Sequence, residues 1–173
     1  MLLECALSAT LGRNRKQNMD YIADLRKYVG HDLLMTVGCG VLIENDKGQV
    51  LLQKRSDTGD WCVPGGALEP GETYMEAAAR ELREEVGIEV SDLRLFGLYS
   101  GDDRKIHYPN GDLVYSLSVI FITSSYTGTI SDTDSEVLEH RFFGRDEIPK
   151  ELFTPDARPI LDWAKGLDHI EVK

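Results

Sequence analysis

The sequence predicts an α/β fold in which helices cover a mixed β-sheet. Three observations carry this. Runs of β-forming residues alternate with segments of helical periodicity at the start, middle and end of the chain. The hydrophobic share is 42%, enough for a packed core rather than a disordered chain. With 173 residues there is room for one domain and a short appendage.

The elements follow in order. Residues 1–18 carry Arg13, Arg15 and Lys16 against Glu4, whereas the whole chain has a net charge of -11. Glu4 interrupts the apolar run and the basic residues follow it, which is the wrong order for a secretory leader. We expect an accessory or disordered arm over 1–18, and a single domain over 19–173 with Met19 as a candidate start. Tyr21, Ile22, Leu25, Tyr28 and Val29 lie at helical spacing before Gly30, predicting a helix over 20–29. That helix would pack over the sheet or join two copies in a homodimer. Leu33 to Glu44 and Gln49 to Lys54 read as strands around the turn Asn45-Asp46-Lys47-Gly48. A helix is expected from Thr73 to Val86, stopped by Gly87. Ile88 to Tyr99 and Leu113 to Ser124 read as strands around the turn Pro109-Asn110-Gly111-Asp112. Val137 to Phe143 is a further strand. Pro155 to Lys165 is a closing helix with Ile160, Leu161 and Trp163 or Ala164 inward.

Composition excludes several classes of function. The longest apolar stretches are far too short to span a bilayer. The acidic balance repels a phosphate backbone, so a nucleic-acid polymer is not an expected partner. A small phosphorylated substrate stays open if a cation reverses the local field. Cys5, Cys39 and Cys62 are odd in number and lack ligand spacing, so neither a disulfide framework nor a zinc site is expected. Reduced cysteines and no leader point to the cytoplasm.

The chemistry concentrates between Gly65 and Ile88. On a helix, Met75, Ala78, Ala79, Leu82 and Val86 form an apolar stripe. Arg80, Glu81, Glu84 and Glu85 share the adjacent face. A charged face is ordinarily just solvated. Here, however, Glu81 stands at like-charge spacing from both Glu84 and Glu85. Glu84 and Glu85 also face the negative end of the helix dipole. Arg80 and Arg83 offset only part of this repulsion. Pro64-Gly65-Gly66 forces a tight turn that can bring backbone carbonyls to the same place. Oxygen donors of this kind suit a hard divalent cation such as Mg²⁺.

Gly66, Glu72 and Arg80-Glu81-Leu82-Arg83-Glu84-Glu85-Val86-Gly87-Ile88 stand at the spacing of the Nudix box, and the chain resembles that family over about residues 33–165. The resemblance implies a Nudix-type α/β/α sandwich with a mixed sheet. It implies hydrolysis of a phosphoanhydride bond in a nucleoside diphosphate linked to another moiety, with Mg²⁺ or Mn²⁺ as cofactor. It further implies that Glu81, Glu84 and Glu85, with the carbonyl of Gly65, hold the metal. Arg80 would orient the carboxylates and Glu72 would brace the loop. The catalytic base would be Glu84 or Glu85, or a loop acid, for which Glu136 and Glu139 are the candidates. Arg55, Trp61, Arg104 and Tyr108 are candidate substrate contacts, with Lys105 and His107 beside them.

Substrate choice stays open between ADP-ribose or a nucleotide sugar, a dinucleoside polyphosphate and a nucleoside triphosphate. Where some ADP-ribose-cleaving relatives carry a proline stand Gly101-Asp102-Asp103-Arg104-Lys105, and Pro109 comes too late. Tyr108 falls a few residues beyond the tyrosine typical of dinucleoside-polyphosphate relatives. The extra signature of coenzyme A pyrophosphatases is missing. A catalytically idle nucleotide-sensing domain is the alternative, which the intact glutamate set opposes. An isomerase of prenyl diphosphates would need further Cys and Glu residues that the pattern lacks.

Overall fold

The computed structural model describes residues 21–131, 135–167 and 170–172. The predicted arm over 1–18 lies outside the described residues. Helix α1 spans Tyr21–Val29 and strand β1 spans Leu34–Glu44. Asn45 turns the chain with its side-chain oxygen, which accepts from the backbone N–H of Lys47 and of Gln49. Strand β2 (Val50–Arg55) returns, followed by the short strands β3 (Trp61–Cys62) and β4 (Gly65–Ala67). Helix α2 covers Tyr74–Glu81, β5 Ile88–Val90, β6 Arg94–Tyr99 and β7 Lys105–His107. Strand β8 is Leu113–Thr123, β9 Tyr126–Gly128 and β10 Val137–Phe143. Helix α3 is Thr154–Ala164 and β11 is Glu171–Val172.

The main sheet runs β10-β2-β1-β8-β6-β11. Its spine is the parallel pair β1 and β8, in continuous register from Leu34 opposite Val114 to Ile43 opposite Thr123. Strand β1 pairs with β2 only at Ile43 and Glu44. In its middle it pairs with β4 instead, Gly40 opposite Gly65. The sheet therefore opens between β2 and β4.

Alternation along the spine sorts its side chains into two cores. Cys39, Val41, Ile43, Val119 and Phe121 pack with Ala77, Ala78, Leu82 and Val86 beneath α2. Leu42, Ile120 and Ile122 pack with Ile160 and Trp163 of α3 on the other face. This is an α/β/α sandwich.

Several expectations change in detail. Met75 is half exposed and Ala77 takes its place on the buried stripe. Leu161 faces solvent, and α3 instead buries Pro155 and Pro159 beside Ile160 and Trp163. The run Ile88 to Tyr99 is two strands. Its first part leaves the main sheet and pairs with β9. α1 has no fully buried residue, and Tyr28 points away from the protein at 87% exposure.

Candidate active site

The first wall of the site is the glycine turn and the helix behind it. Thr73 starts α2 as a reciprocal cap: its hydroxyl accepts from the Glu76 N–H, and the Glu76 carboxylate accepts from the Thr73 N–H at 2.8 Å. Beyond Glu81 the helix widens into a π turn over Leu82–Val86. The N–H of Gly87, at a φ of 79°, closes it on the Leu82 carbonyl.

Gly65 has a φ of 146°, and a Cβ there would lie 2.2 Å from the Cys39 carbonyl oxygen. Only glycine fits. A Cβ on Gly66 would lie 2.4 Å from the Glu81 carboxylate, so that carboxylate rests directly on the turn. Glu85 reaches the same turn from the next helical position inward. Its carboxylate accepts from the Gly65 N–H and from the Gln53 side-chain amide, both at 2.9 Å.

Arg80 ties these parts together. It donates to both oxygens of Glu72 at 2.7 and 3.0 Å, to Glu81 at 2.7 Å and to the Ala67 carbonyl at 3.1 Å. Its hydrogen bond holds the Glu72 carboxyl below the usual range. Burial pushes the Glu81 carboxyl up despite Arg80. Arg83, expected to relieve the helix glutamates, pairs with Glu89 instead.

The three box glutamates are not gathered into a ready cage. Among the described residues no three acidic, histidine or cysteine side chains stand close enough to enclose a metal. Glu84 is the one splayed out: it is exposed, 3.3 Å from Arg80, and does not line the cleft. Glu81 and Glu85 do line it, on either side of Gly65 and Gly66. The half-buried Glu81 carboxylate and the Glu85 carboxylate both rest on the glycine turn, and oxygen donors of this kind fit a hard divalent cation.

These residues form one end of a cleft of about 710 Å³. Opposite them the wall comes from the ends of β2, β7 and α3. Asp57 clamps Arg55 at 2.9 and 2.8 Å. The guanidinium of Arg55 lies 4.5 Å from the Phe153 ring centre and 5.8 Å from that of Tyr108. Asp156 enters at the start of α3, accepting from the Val63 N–H at 3.2 Å. Burial pushes its carboxyl up to about 7, against the opposing pull of that hydrogen bond and of Arg55 and Arg104. Ile22, Ala23 and Arg26 of α1 close the third side.

Arg55, Tyr108 and Glu136 are therefore in the cleft, and three other candidates are elsewhere. Trp61 is core: it packs edge-on to Phe143 at 4.8 Å and is covered by Arg141. Arg104 is fully buried and donates to the Pro155 carbonyl and to Asp103, which fixes the start of α3 rather than meeting a ligand. Glu139 is paired with Arg141 and lies outside the cleft. Lys105 and His107 face solvent on either side of buried Ile106. Sequence reasoning missed Phe153 and Asp156. The cue was Phe153-Thr154-Pro155-Asp156, an aromatic and an acid flanking a helix-starting proline.

An α/β/α sandwich with a glycine turn and paired helix carboxylates at one end of a cleft is an arrangement that a hydrolase of acid anhydrides can use, and the family match assigns the chain to that class. Residues 34–164 match the NUDIX domain family, and the chain belongs to it. It is 31% identical over 147 residues to an ADP-ribose pyrophosphatase of Methanocaldococcus jannaschii, covering 83% of this chain and 82% of that protein. A MutT-like protein of Streptomyces ambofaciens is 32% identical over 127 residues, 73% of this chain and 75% of its own. The crystal structure of a MutT NUDIX hydrolase from Burkholderia pseudomallei superposes with a TM-score of 0.62 at 25% identity, over 73% of this chain and 96% of that one. No helix among the described residues is long and apolar enough to cross a membrane.

Proposed function

We propose that this chain hydrolyses the diphosphate bridge of a nucleoside diphosphate linked to a second group, with an ADP-ribose-like molecule as the leading substrate and Mg²⁺ or Mn²⁺ as cofactor. One observation carries the reading. Glu81 and Glu85 share a single cleft with the Arg55, Tyr108 and Phe153 cluster. One end suits charged phosphates and the other a flat base. A volume of about 710 Å³ is within the range of small-molecule sites. The ADP-ribose pyrophosphatase named above covers most of the chain and supports the choice of substrate.

The chain's own groups divide the work. Glu81, Glu85 and the carbonyl of Gly65 would hold the cation, with Glu84 at the outer side. The bound cation would neutralise phosphate oxygens and make water a better nucleophile. Arg80 keeps the Glu72 and Glu81 carboxylates in place. A carboxylate would take the proton of the attacking water, either Glu84 or Glu85 at the metal end or Glu136 reaching in from the rim of the cleft. Arg55, Tyr108 and Phe153 hold the base by stacking. Asp156 can give a hydrogen bond to it when protonated and accept one when ionised. Water enters at one phosphorus, the bridging oxygen leaves with the other, and two monophosphates result.

The test is a substrate panel with Mg²⁺ that includes ADP-ribose, a nucleotide sugar, a dinucleoside polyphosphate and a nucleoside triphosphate. The expected products from ADP-ribose are AMP and ribose 5-phosphate. Tight binding with no turnover of any member would instead identify a sensor.

A further inference from the structure

The floor of the cleft is made by one face of the β1 and β8 pair. Thr36 stands opposite Ser116, Gly38 opposite Ser118, and Gly40 opposite Ile120. All six line the cleft. Beyond Ile120 the same face closes into the core with Leu42.

Three hydroxyls therefore share one patch. Ser118 is only 6% exposed, lines the cleft and has no hydrogen-bond partner among the described residues. Neither have the hydroxyls of Thr36 and Ser116. Among the described residues the one side-chain N or O atom both sealed and unpaired is Arg26 Nε, so these three hydroxyls are open to the cleft and free to meet a ligand. The patch is open above Gly38, where an added Cβ would meet nothing nearer than the Ser116 hydroxyl at 3.4 Å.

α1 roofs this patch, and Arg26 fixes the roof. Arg26 donates to the carbonyls of Gly30 at 3.0 Å, Asp32 at 2.6 Å and Leu113 at 2.9 Å. Its Nε is buried without a hydrogen bond, 3.5 Å from Asp112. The guanidinium is mostly used up in holding backbone, so the patch is a poor phosphate site. It has no aromatic ring, so it is a poor platform for a base. What it offers is hydroxyl groups, each both donor and acceptor. The Thr36 and Ser116 positions on neighbouring strands are about 4.8 Å apart. Thr36 lies four residues along β1 from Gly40, which pairs with Gly65 of the glycine turn. At strand rise that is about 13 Å from the phosphate end.

We infer that Thr36, Ser116 and Ser118 form a subsite for the cis-diol of a ribosyl group on the substrate. The inference rests on the hydrolase reading above and adds the residues that recognise the sugar. A ribosyl group could be the nucleoside's own or the second, terminal one, and the experiment separates them.

The affinities of ADP-ribose, ADP and 2′-deoxy-ADP are measured by titration calorimetry, with Ca²⁺ replacing Mg²⁺ to slow turnover. The wild type is compared with Thr36→Val/Ser118→Ala. A second variant, Gly38→Ala, places a methyl group on the patch at ordinary contact distance and covers the case of a misfolded double variant. One of two affinity ratios is expected to shrink about tenfold in both variants. Loss in the ratio of ADP-ribose to ADP assigns the patch to the terminal ribosyl group. Loss in the ratio of ADP to 2′-deoxy-ADP assigns it to the nucleoside. Both ratios unchanged would overturn the subsite while leaving the hydrolase reading intact. A wild type that binds none of the three would overturn the nucleotide reading, and the subsite with it.

Discussion

Replacing Asp156 by asparagine should make the protein more stable in alkaline solution and leave it nearly unchanged in acid. Burial raises this carboxyl from an ordinary 3.8 to about 7. The folded chain thus holds a proton between pH 4 and 7 that the unfolded chain has released. The stabilisation is full below pH 4 and is lost as pH rises through 7. The gap corresponds to roughly 4 kcal/mol at most, of which roughly 2.5 kcal/mol falls between pH 5 and 8.5. Asparagine keeps the acceptor for the Val63 N–H and cannot ionise. Urea unfolding of both proteins at pH 5 and pH 8.5 gives the difference between them at each pH, so groups that titrate alike in both cancel. The variant should gain about 2.5 kcal/mol on the wild type over that interval. A difference that does not move with pH would show that Asp156 is not held protonated, and its dual hydrogen-bonding role would fall with it.

Other expectations concern the carboxylate end. Glu81→Gln and Glu85→Gln should each lower kcat roughly a hundredfold or more with unchanged circular dichroism, and Glu84→Gln, whose parent side chain is splayed outward, should cost less. Equal losses at all three positions would place Glu84 with the other two in the working enzyme. Gly66→Ala should reduce activity about as far as Glu81→Gln, because the added methyl occupies the space of the Glu81 carboxylate; a fully active variant would refute that contact. EDTA should abolish hydrolysis and Mg²⁺ or Mn²⁺ restore it, whereas turnover in excess chelator would exclude a metal-dependent reaction.

The parts of the fold that were legible in the sequence are those fixed by neighbours along the chain. Asn45 dictates its own turn, and Gly87 can end the π turn that follows α2 because glycine tolerates its positive φ. The alternating residues of β1 and β8 sort into two cores by parity alone. What failed depends on the third dimension. Ile88 to Tyr99 is continuous in β-propensity, and only the presence of β9 beside Ile88 shows that its first part belongs to another sheet. The π turn after Glu81 has no sequence signature that separates it from an α-helix. Leu161 is apolar and in helical phase with the core by one count, but the two prolines of α3 supply the buried surface instead.

The site divides along the same line. Glu72, Arg80, Glu81 and Glu85 come from one turn and one helix, so fixed spacing brings them together. The far wall draws one side chain each from β2, the end of β7 and the approach to α3. No spacing rule links Arg55, Tyr108 and Phe153, which are far apart in the chain. Trp61 and Arg104 were plausible contacts by residue type, and burial removed both. The same division bears on specificity. The carboxylate end is set by a short local motif, whereas the far wall and floor of the cleft are assembled from separate elements. Those walls can therefore change by single substitutions in strands or loops while the hydrolytic end keeps its geometry. That is the physical reason a match to the box marks a hydrolase of acid anhydrides and leaves the substrate, on the proposal above, to Arg55, Tyr108, Asp156 and the hydroxyl floor.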